Sequence, residues 1–530
     1  MRIERFLLAP AAVRPARTDR ATLGGPAIDR VLMLGLAATA LALDLFRLPG
    51  TSLWADELVS VELASQSWPV FWQFMSQHEP HMALYYLLLH VWLIVMGAIG
   101  ITADELVVRA PSVFFAVLAV AMVFVIGRRF GGRIVGVVAA ALYLLNFIQL
   151  TKAREARSYS LETFLVCVGW YALLMAIGES DRRRWWIVYL VAMTLGIYAH
   201  LLAALILAAQ IVAFAGLLIL PTEWRDRARR SIRSMVMSVG FICVALLPMV
   251  VWFVAHGSTN AWLPPAGAAA VLRAVWNVAG HDVVYALLLG GAAIAAMAVT
   301  ARGIRGPRSS QTIAPAIALT CWLCVPIAIS YALTQPYLNL HLFSWTYLVM
   351  VVPALCLLAA VAVVALRSPR GRLAAAVALI VAASIATPLY SFPPTQDFRT
   401  AMQWVADRWE SGDGLVSTTW SATLATGYYT RIGVLPSAVS DGSPTGWDWP
   451  APRERPLDET AVAGYAAARS RVFVLSGLLL GDTASTKEEV TTLEGTFDRL
   501  YHLVDQIAVE SKDGSLTVRL YETRRRGESP

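Results

Sequence analysis

Apolar residues along this chain come in long unbroken runs separated by short basic loops. The runs long enough to span a bilayer are 31–48, 107–127, 134–150, 159–177, 186–200, 201–220, 234–254, 282–300, 313–333, 347–366 and 373–390. A helix rises about 1.5 Å per residue and the hydrocarbon core is about 30 Å thick, so a span needs about 20 residues. The pattern predicts an all-α polytopic membrane protein with about eleven transmembrane helices. The pairs 134–150/159–177 and 186–200/201–220 are short or abut, which leaves their boundaries soft. After residue 390 the period changes. Strand-like runs (Gly414–Thr419, Arg471–Ser476, Ser515–Tyr521) alternate with helical runs (Asp397–Glu410, Thr486–Tyr501), which predicts a small α/β domain. Residues 436–456, rich in Pro, Gly and Trp, read as a long loop. The expected division is a tail over 1–30, a transmembrane domain over 31–390 with a long outer loop at 49–106, and the α/β domain over 391–530.

One further apolar run, 83–97, decides the topology. As a helix it is about 22 Å long, short for the hydrocarbon core, and it contains His90. If it lies in the interface, the basic loops at 128–133, 182–184, 225–233, 302–308 and 367–372 all share the side of the basic N-terminal tail. If it spans, all five land opposite that tail. The excess of Arg and Lys in cytoplasmic loops favours the first arrangement. It predicts a multi-pass plasma-membrane protein with a cytoplasmic N-terminus, and it puts 49–106, 151–158, 255–281, 334–346 and the C-terminal domain outside. In the first outer loop Trp68, Phe71, Trp72 and Met75 follow i, i+3, i+4, i+7 spacing, one apolar stripe on a surface-lying helix.

Composition agrees with lipid as the solvent. Of 530 residues, 57% are hydrophobic and 15% charged, and mean hydropathy is +0.59. The net charge of +7 reflects basic loops and does not point to a nucleic-acid partner. All five cysteines lie inside apolar runs, so there is no disulfide framework. Cys321 and Cys324 have metal-motif spacing but sit mid-membrane, where they read as small hydrophobes. No GxGxxG or GxxxxGK[ST] loop is present, so no nucleotide site is indicated.

The candidate chemistry gathers on the outer face. Asp56 and Glu57 follow the first span at about headgroup depth, where adjacent carboxylates are costly unless paired or used. His78, Glu79 and His81 have the donor types of a divalent-ion site, although no cofactor is expected. The second outer loop holds Lys152, Arg154, Glu155, Arg157 and Tyr159. An arginine cluster outside the cytoplasm suits a phosphate, which guanidinium grips bidentately. Arg109, at the start of the second span, is another phosphate candidate. His200 stands at the outer end of the 186–200 run, and Tyr337, Asn339 and His341 are weaker candidates. Acids, arginines and histidines beside a lipid-facing wall suit a substrate with an anionic head and a greasy tail.

Several of these stretches resemble the membrane glycosyltransferases of the GT-C fold, in particular the bacterial relatives of protein O-mannosyltransferases. Trp54-Ala-Asp56-Glu57 is similar to that family's acidic pair, and His78-Glu79-Pro80-His81 through Tyr85-Tyr86 to its HPPLYY-type segment. Val108-Arg109-Ala110-Pro111-Ser112, followed by Gly127-Arg128-Arg129-Phe130-Gly131, resembles its RLPS…GRRLFG stretch. Arg154-Glu155-Ala156-Arg157-Ser158-Tyr159 resembles its QEARxYAL segment, Tyr198-Ala-His200 its YTH-type helix end, and Asp397-Phe398-Arg399 through Tyr428-Tyr429 its outer domain. His81-Met82 stands where a Pro pair is usual, Thr346 where Arg is frequent, and Arg154 where Gln is common. The resemblance implies transfer of a sugar from a polyprenyl-phosphate donor to an acceptor hydroxyl on the outer face.

On that reading Asp56 is the general base and the anomeric configuration inverts. Arg157, with Arg109 or Arg154, stabilises charge on the departing phosphate. Glu57 and Glu79 orient hydroxyls, Glu155 orients Arg157, and His81, Tyr159 and His200 contact sugar or phosphate. The competing reading is a lipid or sugar transporter or flippase. It fits less well because the polar groups cluster at one face and no inverted repeat is visible.

Overall fold

A computed structural model describes residues 25–77, 80–179, 182–219, 224–256, 266–304, 313–338, 340–387, 394–449, 453–454, 458–479 and 484–523. The chain divides into two compact units. One holds residues up to 44, 113–153 and 158–389; the other holds 45–112, 154–157 and 390–530. The first outer loop, the 154–157 segment and the C-terminal residues therefore belong to the same unit.

Among the described residues the regular elements of the first unit are all helices, because its sequence offers little but apolar residues and each backbone amide in lipid must bond within its own helix. Trp170 stacks on Trp322 at 5.5 Å, and the Trp322 indole N–H donates to the Met350 carbonyl at 2.8 Å. The helix Glu105–Gly131 reverses into Arg133–Leu144 through Gly132, whose φ of 93° is open only to glycine at low cost. Just beyond that turn the two backbones touch: a Cβ on Gly127 would lie 2.7 Å from the Gly136 Cα.

The same turn gathers charge. Arg128 and Arg133 both bond Asp29 (2.8 and 2.6 Å), while Arg129 and Arg184 reach Glu179 (3.1 and 3.8 Å). The start of the first helix and the basic loops at 128–133 and 182–184 thus share one end of this unit. Tyr159 opens the helix that closes at Gly178, so it stands about 30 Å away along that axis.

Among the described residues, seven helices are long and apolar enough to cross a membrane, or up to nine when each bent pair counts as one span. This is fewer than the expected eleven. Gly25–Leu45, Arg182–Ala199 and Ala203–Ile219 are helices but fall outside that set. The first two carry charged residues at their ends and the third is short. Two expected spans are broken: Arg133–Leu144 meets Phe147–Ala153 at 65°, and Arg225–Ala245 meets Leu247–His256 at 49°. Pro80–Ala98 falls inside the set, because the turn before Ala83 extends the run, so length alone does not bar it from spanning. Its packing is with the outer-loop helices of its own unit. His90 Nδ1 lies 2.8 Å from the Ala64 carbonyl oxygen, and its ring stacks on Phe71 at 4.6 Å.

The second unit carries the expected surface helix at Trp68–Gln77, but its stripe divides. Phe71, Phe74 and Met75 are buried, whereas Trp68 and Trp72 are exposed and stack on each other at 6.2 Å. The C-terminal part is a four-stranded sheet built from β1 (Gly414–Ser417), β4 (Arg471–Leu479), β5 (His502–Ser511) and β6 (Gly514–Glu522), in the order β1-β4-β6-β5. The β1–β4 pair is parallel and the others antiparallel. A small antiparallel pair, β2 (Trp447–Asp448) and β3 (Arg453–Glu454), lies within the stretch read as a loop. Val416, Val472 and Val474 pack with Leu493 and Phe497 of the helix Ala484–Leu500 on one face. Phe473 meets Trp404 and Trp409 on the other.

Candidate active site

The site is built on the helix Ala55–Ala64, which follows a sharp turn with Arg47 at φ 55° and Gly50 at φ 74°. Asp56 and Glu57 occupy its first turn, where the exposed N–H groups and the helix dipole favour anions. Consecutive side chains on a helix point about 100° apart, so the two acids face different ways. Glu57 faces inward and is fully buried. Arg109 holds it bidentately, Nε to Oε1 and Nη2 to Oε2, both at 2.7 Å. Two further guanidinium N–H groups go to the carbonyls of Thr51 (2.8 Å) and Ser52 (2.9 Å). Glu57 also accepts from the backbone N–H of Ala156 at 2.7 Å and of Trp54 at 3.3 Å. One carboxylate therefore pins three segments that are distant in sequence.

Asp56 faces outward, with 41% of its side chain exposed. Arg157 Nη2 stands 3.5 Å from its Oδ2, and Nη1 donates to the Asp56 carbonyl and to Ser60 Oγ, both at 3.2 Å. The Arg157 carbonyl accepts from Ser112 Oγ at 3.1 Å, and Tyr85 Oη lies 3.0 Å from that hydroxyl. An accessible carboxylate beside a nearly buried guanidinium can take up a proton and hold an anion at the same place.

A second layer braces this helix. Gln396 Oε1 accepts from Ala55 N–H at 2.8 Å, and Tyr428 Oη donates to the Ala103 carbonyl at 3.1 Å. Arg399 pairs with Glu105, and Arg431 Nη1 donates to Glu62 at 3.0 Å. Burial holds the Glu62 carboxyl above the usual carboxylate range, with Arg431 opposing. Burial likewise pushes the Tyr428 and Tyr429 phenols upward, so both stay neutral donors. Sequence reading missed Gln396, Arg431 and the bracing role of the two tyrosines. A signal was available in Glu62 and Glu105, two acids among apolar neighbours that need cations from elsewhere.

The structure brings Asp56, Glu57, Arg109 and Arg157 together. Arg109 is 3% exposed, and its donors face Glu57 and two backbone carbonyls instead of a phosphate. Arg154 is buried and donates to the Phe46 carbonyl at 2.6 Å. Glu155 is buried too, and its carbonyl accepts from the Arg157 N–H at 2.7 Å. His81 is half-buried in the turn Pro80–Met82. Glu79, His78 and Asn339 lie outside the described residues. Among the described residues no cluster of three or more His, Cys, Asp or Glu is arranged as metal ligands would be.

Tyr159 and His200 belong to the first unit, with their rings 5.5 Å apart. Tyr347 lies 5.5 Å beyond His200. Lys152, the first basic residue of the second outer loop, is 4% exposed; its ammonium sits over the Tyr159 ring at 4.9 Å and the Trp345 ring at 5.4 Å. This is a buried cation held by aromatic faces. Tyr337 is exposed at 74%.

Comparison with known proteins bears on the fold. Residues 84–252 match the family described as dolichyl-phosphate-mannose-protein mannosyltransferase. No curated protein matches in sequence. Among solved structures, ArnT from Cupriavidus metallidurans in the apo state superposes with a TM-score of 0.55 at 13% identity, covering 93% of this chain and 98% of that one. The chain has a GT-C-like glycosyltransferase fold. The same ArnT bound to undecaprenyl phosphate gives a TM-score of 0.52 at 11% identity, with 94% and 98% covered. The archaeal oligosaccharyltransferase AglB from Archaeoglobus fulgidus, in complex with an inhibitory peptide and a dolichol-phosphate, gives 0.51 at 12% identity, with 95% of this chain and 75% of that chain covered. A GT-C-like chain with several apolar helices is a multi-pass membrane protein, and its family match and fold neighbours are glycosyltransferases.

Proposed function

We propose that this protein transfers a sugar from a polyprenyl-phosphate donor to an acceptor hydroxyl at the outer membrane face, with Asp56 as general base. The observation that carries the reading is the first turn of helix Ala55–Ala64. There an exposed carboxylate stands 3.5 Å from the Arg157 guanidinium, on a frame fixed by the buried Glu57–Arg109 pair. Asp56 takes the proton from the acceptor oxygen as that oxygen bonds to the anomeric carbon. The bond to phosphate breaks, polyprenyl phosphate leaves with its electron pair, and the configuration inverts. Arg157 stabilises the developing phosphate charge. Glu57 and Arg109, used up by each other, are positioning residues. ArnT binds undecaprenyl phosphate and AglB a dolichol-phosphate in their solved complexes, which supports a polyprenyl-phosphate donor. The N-terminus is cytoplasmic, and the charge-gathering end of the first unit faces the cytoplasm.

The test is a transfer assay on purified protein with a panel of polyprenyl-phosphate sugars, read by mass spectrometry of candidate acceptors. Asp56→Asn abolishes transfer at unchanged yield and thermal stability. Wild-type-like turnover in that variant removes Asp56 from the base role.

A further inference from the structure

The helix Ala55–Ala64 cannot be capped by the residue that precedes it. The first N–H groups of a helix have no acceptor within it, and the preceding residue is Trp54, whose indole only donates. Glu57 reaches back to the Trp54 N–H at 3.3 Å. The next N–H, that of Ala55, is taken from far along the chain by Gln396 Oε1 at 2.8 Å. Two neighbouring contacts come from the same C-terminal part. The Leu53 N–H donates to Tyr429 Oη at 3.4 Å, and the Arg399 N–H donates to Ser52 Oγ at 3.2 Å. Residues 52, 53 and 55, which lead into Asp56, are thus each bonded to the C-terminal domain.

Gln396 is itself fixed from behind. It is 1% exposed, and its Nε2 donates to Asp513 Oδ2 at 3.5 Å. Asp513 lies in the turn between β5 and β6. The residues on either side of Gln396 bond to the same hairpin end. The Asp513 N–H donates to the Thr395 carbonyl at 3.0 Å, and the Asp397 N–H to Ser511 Oγ at 3.0 Å. Asp397 in turn caps the helix Phe398–Arg408, accepting from the Thr400 N–H at 3.1 Å. Ala55 offers a donor and the Asp513 carboxylate an acceptor, so one orientation of the Gln396 amide serves both.

We propose that Gln396 is a positioning residue for the transfer: it sets the place of Asp56 through the Ala55 N–H and is aimed by the β5–β6 turn. The inference rests on the proposed role of Asp56 as base; the grip on Ala55 does not. Glu57 and Gln396 hold consecutive N–H groups. Removing the second leaves the helix anchored by the buried Glu57–Arg109 pair, with its first turn able to shift. A reacting group misplaced by about 1 Å loses about 10²-fold in rate. The signature is therefore kinetic. Turnover falls while donor binding, assigned to Arg157, stays. The transfer machinery then extends into the C-terminal sheet.

The experiment uses full-length protein in detergent, with undecaprenyl-phosphate mannose, galactose, glucose and arabinose as donors and a Ser/Thr-rich peptide and linear hexasaccharides as acceptors. Release of undecaprenyl phosphate gives the rate. Hydrogen exchange over residues 52–58, read by mass spectrometry, reports the helix start. The size-matched Gln396→Leu lowers kcat about 10- to 100-fold with donor KM within about twofold, and it speeds exchange over 52–58. Gln396→Glu keeps an acceptor for Ala55 but sets it against Asp513, and it lowers kcat too. Adding Asp513→Asn turns the contact round, with the new amide donating to the new carboxylate, and recovers kcat to within about threefold of wild type. Both changes conserve size, so packing alone does not produce that recovery. Should Gln396→Leu not fold, the Gln396→Glu and Asp513→Asn pair carries the test. A kcat for Gln396→Leu within about twofold of wild type overturns the proposal, as does a double variant without recovery. Faster exchange over 52–58 in Gln396→Leu, in a protein that releases no undecaprenyl phosphate from any donor, sinks the transferase reading alone. Unchanged exchange there overturns the grip as well.

Discussion

Replacing Arg109 by alanine tests whether the acidic pair is divided as the structure describes it. The change removes two bonds to Glu57 at 2.7 Å and two to the carbonyls of Thr51 and Ser52 at 2.8 and 2.9 Å. Counted singly, hydrogen bonds to charged groups at about 1.5–3 kcal/mol each would overstate the loss, because ion pairing must first offset the desolvation of both charges. The better guide is the cost of removing one member of a buried pair, about 3–5 kcal/mol. Glu57 would keep only the N–H groups of Ala156 and Trp54 in a fully buried place. The assay is thermal unfolding of purified protein in detergent, with Asp56→Asn as the control that removes an exposed acid and leaves the melting temperature alone. Glu57→Gln combined with Arg109→Met recovers much of the loss, since no unpaired charge remains. A melting temperature for Arg109→Ala equal to wild type, with donor binding reduced, refutes the reasoning and returns Arg109 to the phosphate.

Arg431→Ala leaves Glu62 with burial unopposed, so its carboxyl stays raised. A raised folded-state pKa gives stability that is intact in acid and lost as pH rises, so this variant unfolds more readily at about pH 8 than at about pH 5. Adding Glu62→Gln removes that dependence, which a pH series of melting curves checks. Gly136→Ala puts a Cβ 2.8 Å from the Phe124 carbonyl oxygen, costing about 1–3 kcal/mol. Gly35→Ala meets nothing within 4 Å and is neutral or stabilising by about 0.5–1 kcal/mol; yield and monodispersity separate the two. Arg157→Ala lowers transfer by about 10²–10³ with a raised donor KM, and Arg157→Lys recovers only part because a single ammonium lacks the planar fork. An unchanged donor KM in Arg157→Ala makes that residue structural.

Much of the fold was legible because lipid enforces its rules bluntly: a long apolar run has little choice but a helix. What hydropathy could not supply was where helices break. The bend after Leu144 falls within an uninterrupted apolar run and shows only as Asn146, whose side chain turns to the Val278 carbonyl at 3.1 Å. In the C-terminal part, Phe398–Arg408 and β1, β4 and β6 followed from clear periodicity. Strand β5 was missed because its alternation runs between exposed and half-buried positions, HLVDQIAVES, with hardly any fully buried side chain. The helix Trp420–Arg431 was missed because small and polar residues dilute its apolar face. At the site, the gathering of acids and arginines was readable from charge placed where charge is costly. Which arginine faces the accessible acid was not readable, since burial is a property of the assembled fold and both arginines occupy similar loop-end positions.

The adjacency of Asp56 and Glu57 then has a physical sense. On the proposed function, a base that acts on a hydroxyl must be reachable from outside, and a flexible exposed carboxylate on a loop would be poorly aimed. Placing it one residue before a buried carboxylate on the same helix resolves the conflict, because the helix turn fixes the angle between them. Glu57, gripped by Arg109 and by the Ala156 N–H, sets the position of the first turn. Ala156 immediately precedes Arg157, so the same grip sets the cation as well. The distance between Asp56 and Arg157 is thus controlled by a third residue that touches no solvent. A shorter acid at position 57 would move both at once. Glu57→Asp is therefore expected to lower turnover while Asp56 and Arg157 are both still present, and turnover equal to wild type in that variant would mean the two groups find each other without the frame.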